Sequence, residues 1–188
     1  MNLSGQPLCP PAARRVLVRV RCVWRAPVAK DLGEVSREGT DWMARLTREF
    51  EAGPSDVWQV LTESDRFALW LAPGTIEPAV GGSVALAFEG SGTVINSRVT
   101  AFERERCLAF SWSDAGEPER PVRLWIEPSG SGSRLEVSLG LPGNEDMAKH
   151  CAGWEAHLAM LEAVLVGAPI DFPFELFMQA RQSYKALV

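Results

Sequence analysis

The sequence contains only two histidines, and His157 is the more informative of them. It lies three positions after Trp154 and four before Leu161, at the edge of an apolar stripe with helical spacing. One interpretation is a polar group lining an internal cavity, where it would hydrogen-bond a ligand carbonyl or act as a general base near neutral pH. The other is a structural histidine at a boundary between a helix and a sheet.

The other reactive side chains are not arranged for catalysis. His150 and Cys151 are adjacent, but neighbouring helical residues point about 100° apart, which excludes a nucleophile–base pair. The cysteines form no CxxC pair, which predicts reduced thiols, no disulfide framework and no zinc site. We expect no catalytic residue, no metal and no cofactor, and we expect a solvated surface for the carboxylates in turn-proximal stretches: Glu103, Glu105, Glu117 and Glu119.

The composition is that of a folded globular protein. Apolar residues make up 46% of the 188 positions and charged residues 23%, with seven tryptophans and one tyrosine. Residues 1–42 carry a charge balance of +3 and the remainder −8, so the acidic body is a poor partner for nucleic acid. The best apolar run, 161–170, is too short to span a bilayer and contains Glu162. We predict a cytoplasmic protein with no transmembrane segment.

Three regions differ in pattern. Residues 1–42 contain four prolines and an arginine-interrupted apolar stretch, which we interpret as a poorly ordered N-terminal extension. Met43 is an alternative start of the protein. A folded domain is predicted over residues 43–167. Residues 168–188 are predicted to form a C-terminal tail with enough Phe, Leu and Met for one short docked helix.

Regular elements begin after Met43. Alternating apolar residues over 44–52 predict a first strand. A helix capped by Ser55 or Asp56 follows, and a second short helix spans about 64–71. Further alternating segments, separated by turn residues, predict five more strands at 84–88, 94–102, 108–112, 122–126 and 135–139.

A long last helix is predicted from Asn144 or Glu145 to the Gly167 region, because Trp154 and three leucines recur at helical spacing. One face of the predicted sheet is apolar throughout, and this helix is the only predicted element large enough to cover it. The prediction is an α+β fold in which a curved antiparallel β-sheet wraps around a long C-terminal α-helix, with two short helices after the first strand.

Six short motifs in this order resemble the START-like, or SRPBCC, superfamily with its helix-grip fold. More narrowly, they resemble the branch of activators of heat-shock-protein-ninety ATPase homologues. The resemblance covers Leu46 to about Gly167. Its motifs are residues 54–62, Phe67 with Trp70, residues 81–84, Gly92-Thr93-Val94 with residues 108–112, residues 133–137, and Gly153-Trp154 with Leu158 and Leu161.

The resemblance implies a cavity between the curved sheet and the last helix, and three functions compatible with it. The first is a module that binds a small hydrophobic ligand. The second is a chaperone-activator-like module that binds a protein partner. The third is an enzyme of the cyclase or hydrolase type. An enzyme should place at least two ionisable groups in the cavity, and the sequence offers only His157, so catalysis ranks last.

The candidate cavity-lining residues are large apolar and aromatic side chains together with His157. For most of them, simple packing in the core is the alternative interpretation. The candidates are Trp58, Trp70, Leu71, Phe88, Phe110, Trp112, Leu124, Trp154, His157 and Leu161.

Overall fold

The computed structural model describes residues 32–88, 90 and 92–188, so most of the predicted N-terminal extension lies outside the described residues. The described chain forms eight strands and four helices. In chain order these are β1 (Glu34–Glu38), β2 (Asp41–Phe50), α1 (Pro54–Thr62), α2 (Ser64–Phe67), β3 (Gly74–Ile76), β4 (Ser83–Phe88), β5 (Thr93–Glu103), β6 (Cys107–Ser111), β7 (Pro121–Ser129), β8 (Gly132–Leu141), α3 (Met147–Leu165) and α4 (Phe174–Tyr184).

All eight strands belong to one antiparallel sheet in the order β1-β2-β8-β7-β6-β5-β4-β3. The pairing of β2 with β8 places the first long strand beside the last strand of the chain. A register shift between Val99 and Ala101 marks a bulge in β5, which bends that strand. The predicted α+β helix-grip architecture, a curved sheet around a long C-terminal helix, is confirmed.

The two faces of the sheet differ as the alternation of the sequence predicts. Leu46, Val137 and Leu124 lie opposite one another on three neighbouring strands and are fully buried. Between them on the other face stand polar and charged residues such as Arg45 and Glu136, which form an ion pair. The apolar face is covered by α1, α2 and α3, whose buried side chains join the same core cluster.

The start of α1 differs from the prediction. Neither Ser55 nor Asp56 caps the helix; its N-cap is Gly53, which makes no side-chain hydrogen bond, and Pro54 occupies the first turn. Proline fits there because its missing N–H is one of the groups that no helical partner would satisfy. Asp56 still lies in the first turn, where its charge favours the helix dipole. Helix α2 ends at Phe67, earlier than the predicted 71.

Two edge strands were not predicted. β1, EVSRE in sequence, is largely exposed and pairs with β2, so the sheet starts at Glu34 and not at 43. β3 is only three residues long and pairs with β4. Neither has an alternating buried pattern, since four of the five residues of β1 are exposed and β3 has only three residues. The charged residues of β1 oppose edge-to-edge pairing with another chain.

Helix α3 buries twelve of its nineteen residues. Such extensive burial requires cover on more than one side, and α4 supplies the second side by packing along α3. Asp146 is the N-cap of α3 and accepts a hydrogen bond from the Lys149 N–H at 2.8 Å. Among the described residues, no helix combines the length and the apolar composition that crossing a bilayer requires.

The cap of α3 gives a stability prediction. Asp146→Ala removes the acceptor of the Lys149 N–H and the partner of Arg181, at 2.6 Å, so we expect a loss of roughly 1–2 kcal/mol in the free energy of unfolding. Urea denaturation measures it. The matched control is Asn144→Ala, which alters the exposed residue that the sequence pattern favoured as the helix start. Equal losses for the two variants would contradict the assignment.

Candidate functional site

Aromatic rings from β4, β6 and α3, and from the turns that follow β6 and α2, meet between the sheet and α3. The ring of Trp112 lies 5.1 Å from that of Trp154 and 5.4 Å from that of Phe88, measured between centroids. Trp154 also contacts Trp70 at 6.4 Å, and Phe110 contacts Trp112 at 6.3 Å. These tilted contacts are favourable geometries for aromatic pairs. We call the set the aromatic cluster: Trp70, Phe88, Phe110, Trp112, Trp154 and His157.

Each member is fixed by its element. Phe88 ends β4, and Phe110 and Trp112 lie at the end of β6, while Trp154 and His157 project from α3 three residues apart. Trp70 follows α2, and its indole N–H donates to the Val60 carbonyl at 3.0 Å. That bond anchors the turn after α2 to α1 and so helps to fix the position of the Trp70 ring.

His157 is the polar centre of the cluster. Its Nδ1 lies 2.9 Å from the carbonyl oxygen of Trp70, and burial lowers the pKa of the imidazole to about 4. A carbonyl can only accept, so in the neutral ring Nδ1 carries the proton and Nε2 is left as an acceptor. The histidine therefore presents a neutral hydrogen-bond acceptor near pH 7, surrounded by aromatic rings.

The same cluster contains a buried donor. The indole Nε1–H of Trp154 has no hydrogen-bond partner among the described residues, and the centroids of the Trp154 and His157 rings are 6.3 Å apart. Leaving a buried donor unsatisfied costs about 1–3 kcal/mol. The cluster thus holds one acceptor and one unsatisfied donor in an otherwise apolar setting, which is the pattern of a ligand pocket.

The aromatic cluster reaches the surface on one side. Phe88 and Trp112 are half-buried. Phe172, in the segment between α3 and α4, is 41% exposed, and its ring lies 5.5 Å from that of His157. Sequence reasoning missed Phe172, because its contact with His157 depends on how the tail folds back along α3.

Four predicted residues lie outside the aromatic cluster. Leu71, Leu124 and Leu161 are buried in the general core. Trp58 pairs with Phe102, near the far end of β5, with ring centroids 5.5 Å apart. Phe88 lies beside the opposite end of β5, opposite Thr93, so Trp58 faces a different part of the interior.

A second buried polar group was not predicted. Glu155 on α3 is almost completely buried, and its carboxylate accepts from Arg48 of β2 and, at 2.6 Å, from the Tyr184 hydroxyl of α4. The Tyr184 oxygen in turn accepts the backbone N–H of Gly33 at 2.7 Å. Burial raises the pKa of Tyr184, so the hydroxyl stays protonated and donates. We call this set the Glu155 network.

One sequence signal points to the network in retrospect. Glu155 is a carboxylate directly after Trp154 and one helical turn after Cys151. Tyr184 is the only tyrosine of the chain. Its partners are distant in sequence, and a single sequence does not reveal them. Burial raises the pKa of the Cys151 thiol to about 12, which opposes thiolate formation and any nucleophilic role.

The outer face of the sheet carries a groove of about 390 Å³ lined by charged residues around Trp125. The guanidinium carbons of Arg106 and Arg123 lie 4.5 Å and 5.0 Å from the centroid of the Trp125 ring. Its other charges largely pair with one another, as Arg134 does with Glu127. The described part of the chain has no group of three or more potential metal-ligating side chains.

Comparison with known proteins identifies the family. Residues 51–166, well over half of the chain, match the family model described as Activator of Hsp90 ATPase homolog 1-like protein, AHSA1. The chain belongs to the AHSA1 family. The AHSA1 match includes every member of the aromatic cluster and Glu155, and it ends before Phe172 and α4.

Solved structures share the AHSA1-like fold. CalU16 from Micromonospora echinospora is 22% identical, with a TM-score of 0.68 over 82% of this chain and 97% of that one. The protein encoded by BPP1335 from Bordetella parapertussis is 24% identical, with a TM-score of 0.66 over 87% and 94%. DynU16, described by its place in the dynemicin biosynthetic locus, is 26% identical, with a TM-score of 0.60 over 68% of this chain and 48% of that one. No curated protein matches the chain.

The buried histidines give a pH prediction. Burial lowers the pKa of His157 and of His150 from 6.5 to about 4, so between these values the unfolded chain binds more protons than the folded one. The contribution of the neutral histidines to the free energy of unfolding should therefore be fully present above pH 6.5. It should decrease as the pH drops toward 4, by about 3 kcal/mol for His157 alone.

Urea denaturation between pH 7.5 and 4.5 tests this. His157→Gln keeps an N–H donor for the Trp70 carbonyl and cannot titrate, so it should remove about half of the pH-dependent loss. His150→Gln should remove most of the remainder. An unchanged pH dependence in both variants would show that the histidines are not buried as neutral groups.

Proposed function

We propose that this protein binds a small, neutral, largely aromatic or apolar ligand within the aromatic cluster between the sheet and α3. The observation that carries the proposal is that one group of rings, which extends to the surface, contains both the neutral acceptor of His157 and the unsatisfied indole donor of Trp154. Buried polar side chains usually have a hydrogen-bond partner, so an orphaned donor within a group of rings that reaches the surface favours a partner supplied by a ligand.

The polar pair defines the chemistry of the ligand. Nε2 of His157 calls for a hydroxyl or N–H on the ligand, and Nε1–H of Trp154 calls for a carbonyl or ether oxygen. A ligand carboxylate is disfavoured, because no cationic side chain belongs to the aromatic cluster and burying an unpaired charge is costly. The rings now touch one another, so binding requires the half-buried Phe88 and Trp112 to rotate.

Binding is a better-supported role than catalysis. A histidine with a pKa of about 4 accepts a proton poorly at neutral pH, so His157 is a weak general base. Glu155, the other buried ionisable group of α3, is engaged by Arg48 and Tyr184. The 26% identity to DynU16, whose description names a biosynthetic locus, supports a role on a small molecule over the chaperone-activator-like alternative.

Titration with the fluorescent probe N-phenyl-1-naphthylamine tests the proposal, because the probe is neutral and aromatic and carries one N–H. Trp112→Ala should weaken its binding at least about tenfold, through loss of ring contact in the cluster. Trp125→Ala is the matched control, since it makes the same substitution on the outer face of the sheet. Equal effects of the two variants, or no binding to the unmodified protein, would refute the proposed site.

The role of His157 has a separate test. His157→Phe removes the acceptor and keeps a ring, so we expect about fivefold weaker binding of N-phenyl-1-naphthylamine. The N-methylated probe has no N–H, and it should bind the variant and the unmodified protein equally well. If both probes respond alike to His157→Phe, the histidine packs against the ligand without hydrogen-bonding it.

A further inference from the structure

The C-terminal helix α4 combines a small apolar contact with the domain and two polar contacts to α3. Of its eleven residues only Ala180 and Tyr184 are buried, whereas Phe174 and Met178 are exposed. Since apolar burial is the main source of packing energy, α4 belongs to the less stable part of the fold. What fixes its position must therefore include its hydrogen bonds.

Two polar contacts tie α4 to α3. Near the end of α4, Tyr184 donates to the buried carboxylate of Glu155 at 2.6 Å and accepts the Gly33 N–H. Earlier on the helix, Arg181 donates to Asp146, the N-cap of α3, at 2.6 Å. Because Glu155 also accepts from Arg48, its carboxylate keeps a charged partner when Tyr184 leaves. The Tyr184 contact can therefore open without leaving a buried charge unpaired.

The segment that leads into α4 covers the aromatic cluster. Phe172 places its ring 5.5 Å from His157 and 5.9 Å from Phe177, so it bridges the cluster and α4. The chain leaves α3 through Gly167, whose φ of 73° is readily adopted by glycine. A pivot at this glycine would carry Phe172 and α4 away from the cluster together.

We propose that residues 168–184 form a strap that closes the ligand site, that Phe172 is its inner wall, and that Tyr184 is its latch. This inference rests on the proposed function for its purpose, since the strap controls access to the aromatic cluster. The latch itself can be tested without any ligand. The strap lies beyond the residues that match the AHSA1 family, so the inference concerns this chain's own C-terminal segment.

Cys151 provides a reporter of strap opening. It is buried on α3 one turn before Glu155, the residue that accepts the hydrogen bond of Tyr184. Cys107 is equally buried, but it lies on β6 next to the hairpin with β5. Labelling of single-thiol proteins, which retain only Cys151 or only Cys107, by 5,5′-dithiobis(2-nitrobenzoate) compares local opening at the strap with opening elsewhere.

The latch variant is Tyr184→Phe, which removes the hydroxyl and keeps the ring. It should speed labelling of Cys151 about tenfold and leave the rate at Cys107 unchanged. It should also speed association of N-phenyl-1-naphthylamine in stopped-flow measurements. Gly33→Ala is a second disruption of the latch, because a Cβ there would lie 3.0 Å from the Tyr184 hydroxyl oxygen and 2.7 Å from the Arg45 carbonyl oxygen. Gln182→Ala, on the exposed side of α4, is the control.

The outcomes separate the two proposals. Faster Cys151 labelling together with faster probe association supports the strap. Faster Cys151 labelling with unchanged probe association overturns it as the route to the site and leaves the binding function standing. Cys151 rates unaffected by both latch variants, or raised together with Cys107, overturn the latch. A failure of the unmodified protein to bind the probe overturns the proposed function, whatever the thiol rates show.

Discussion

The buried carboxylate of Glu155 is the constraint on which the packing of the helices depends. A charge in the interior is stable only when its oxygens are paired, and here the partners come from a strand and from the C-terminal helix. Arg48 fixes α3 to β2, and Tyr184 fixes α4 to α3 and to the chain at Gly33. The hydrogen bonds of this one carboxylate thus join α3 to the sheet and to α4 at a position adjacent to Trp154 and two residues before His157.

The aromatic cluster follows a different rule. Its rings fill space, but hydrogen bonding defines two of its polar groups. The Trp70 carbonyl selects the tautomer of His157, and no described residue accepts the indole N–H of Trp154. Trp70 is itself anchored through the Val60 carbonyl. The backbone carbonyls of Val60, on α1, and of Trp70, after α2, therefore determine which atom of His157 is left to accept a hydrogen bond from a ligand.

Local patterns predicted what depends on local physics. Alternating apolar residues predicted the buried strands from β4 to β8, and apolar residues at helical spacing around Trp154 predicted α3. Each spacing reflects directly which face of the element is buried. The edge strands β1 and β3 were not predicted, since neither has an apolar face of its own. Ten site residues were proposed from type and order alone; the structure brings six of them together, whereas Trp58 turns toward Phe102. Glu155, Tyr184 and Phe172 required knowledge of contacts between distant segments.

The hydrogen bond from Gly33 to Tyr184 spans 151 positions of the chain, and this separation bears on the order of folding. Closing so long a loop is entropically unfavourable until the intervening sheet has formed, since only then are the two ends close together. The sheet and α3 should therefore assemble first and α4 should dock last. Because α4 buries only two of its eleven residues, we expect it also to open more readily than the sheet.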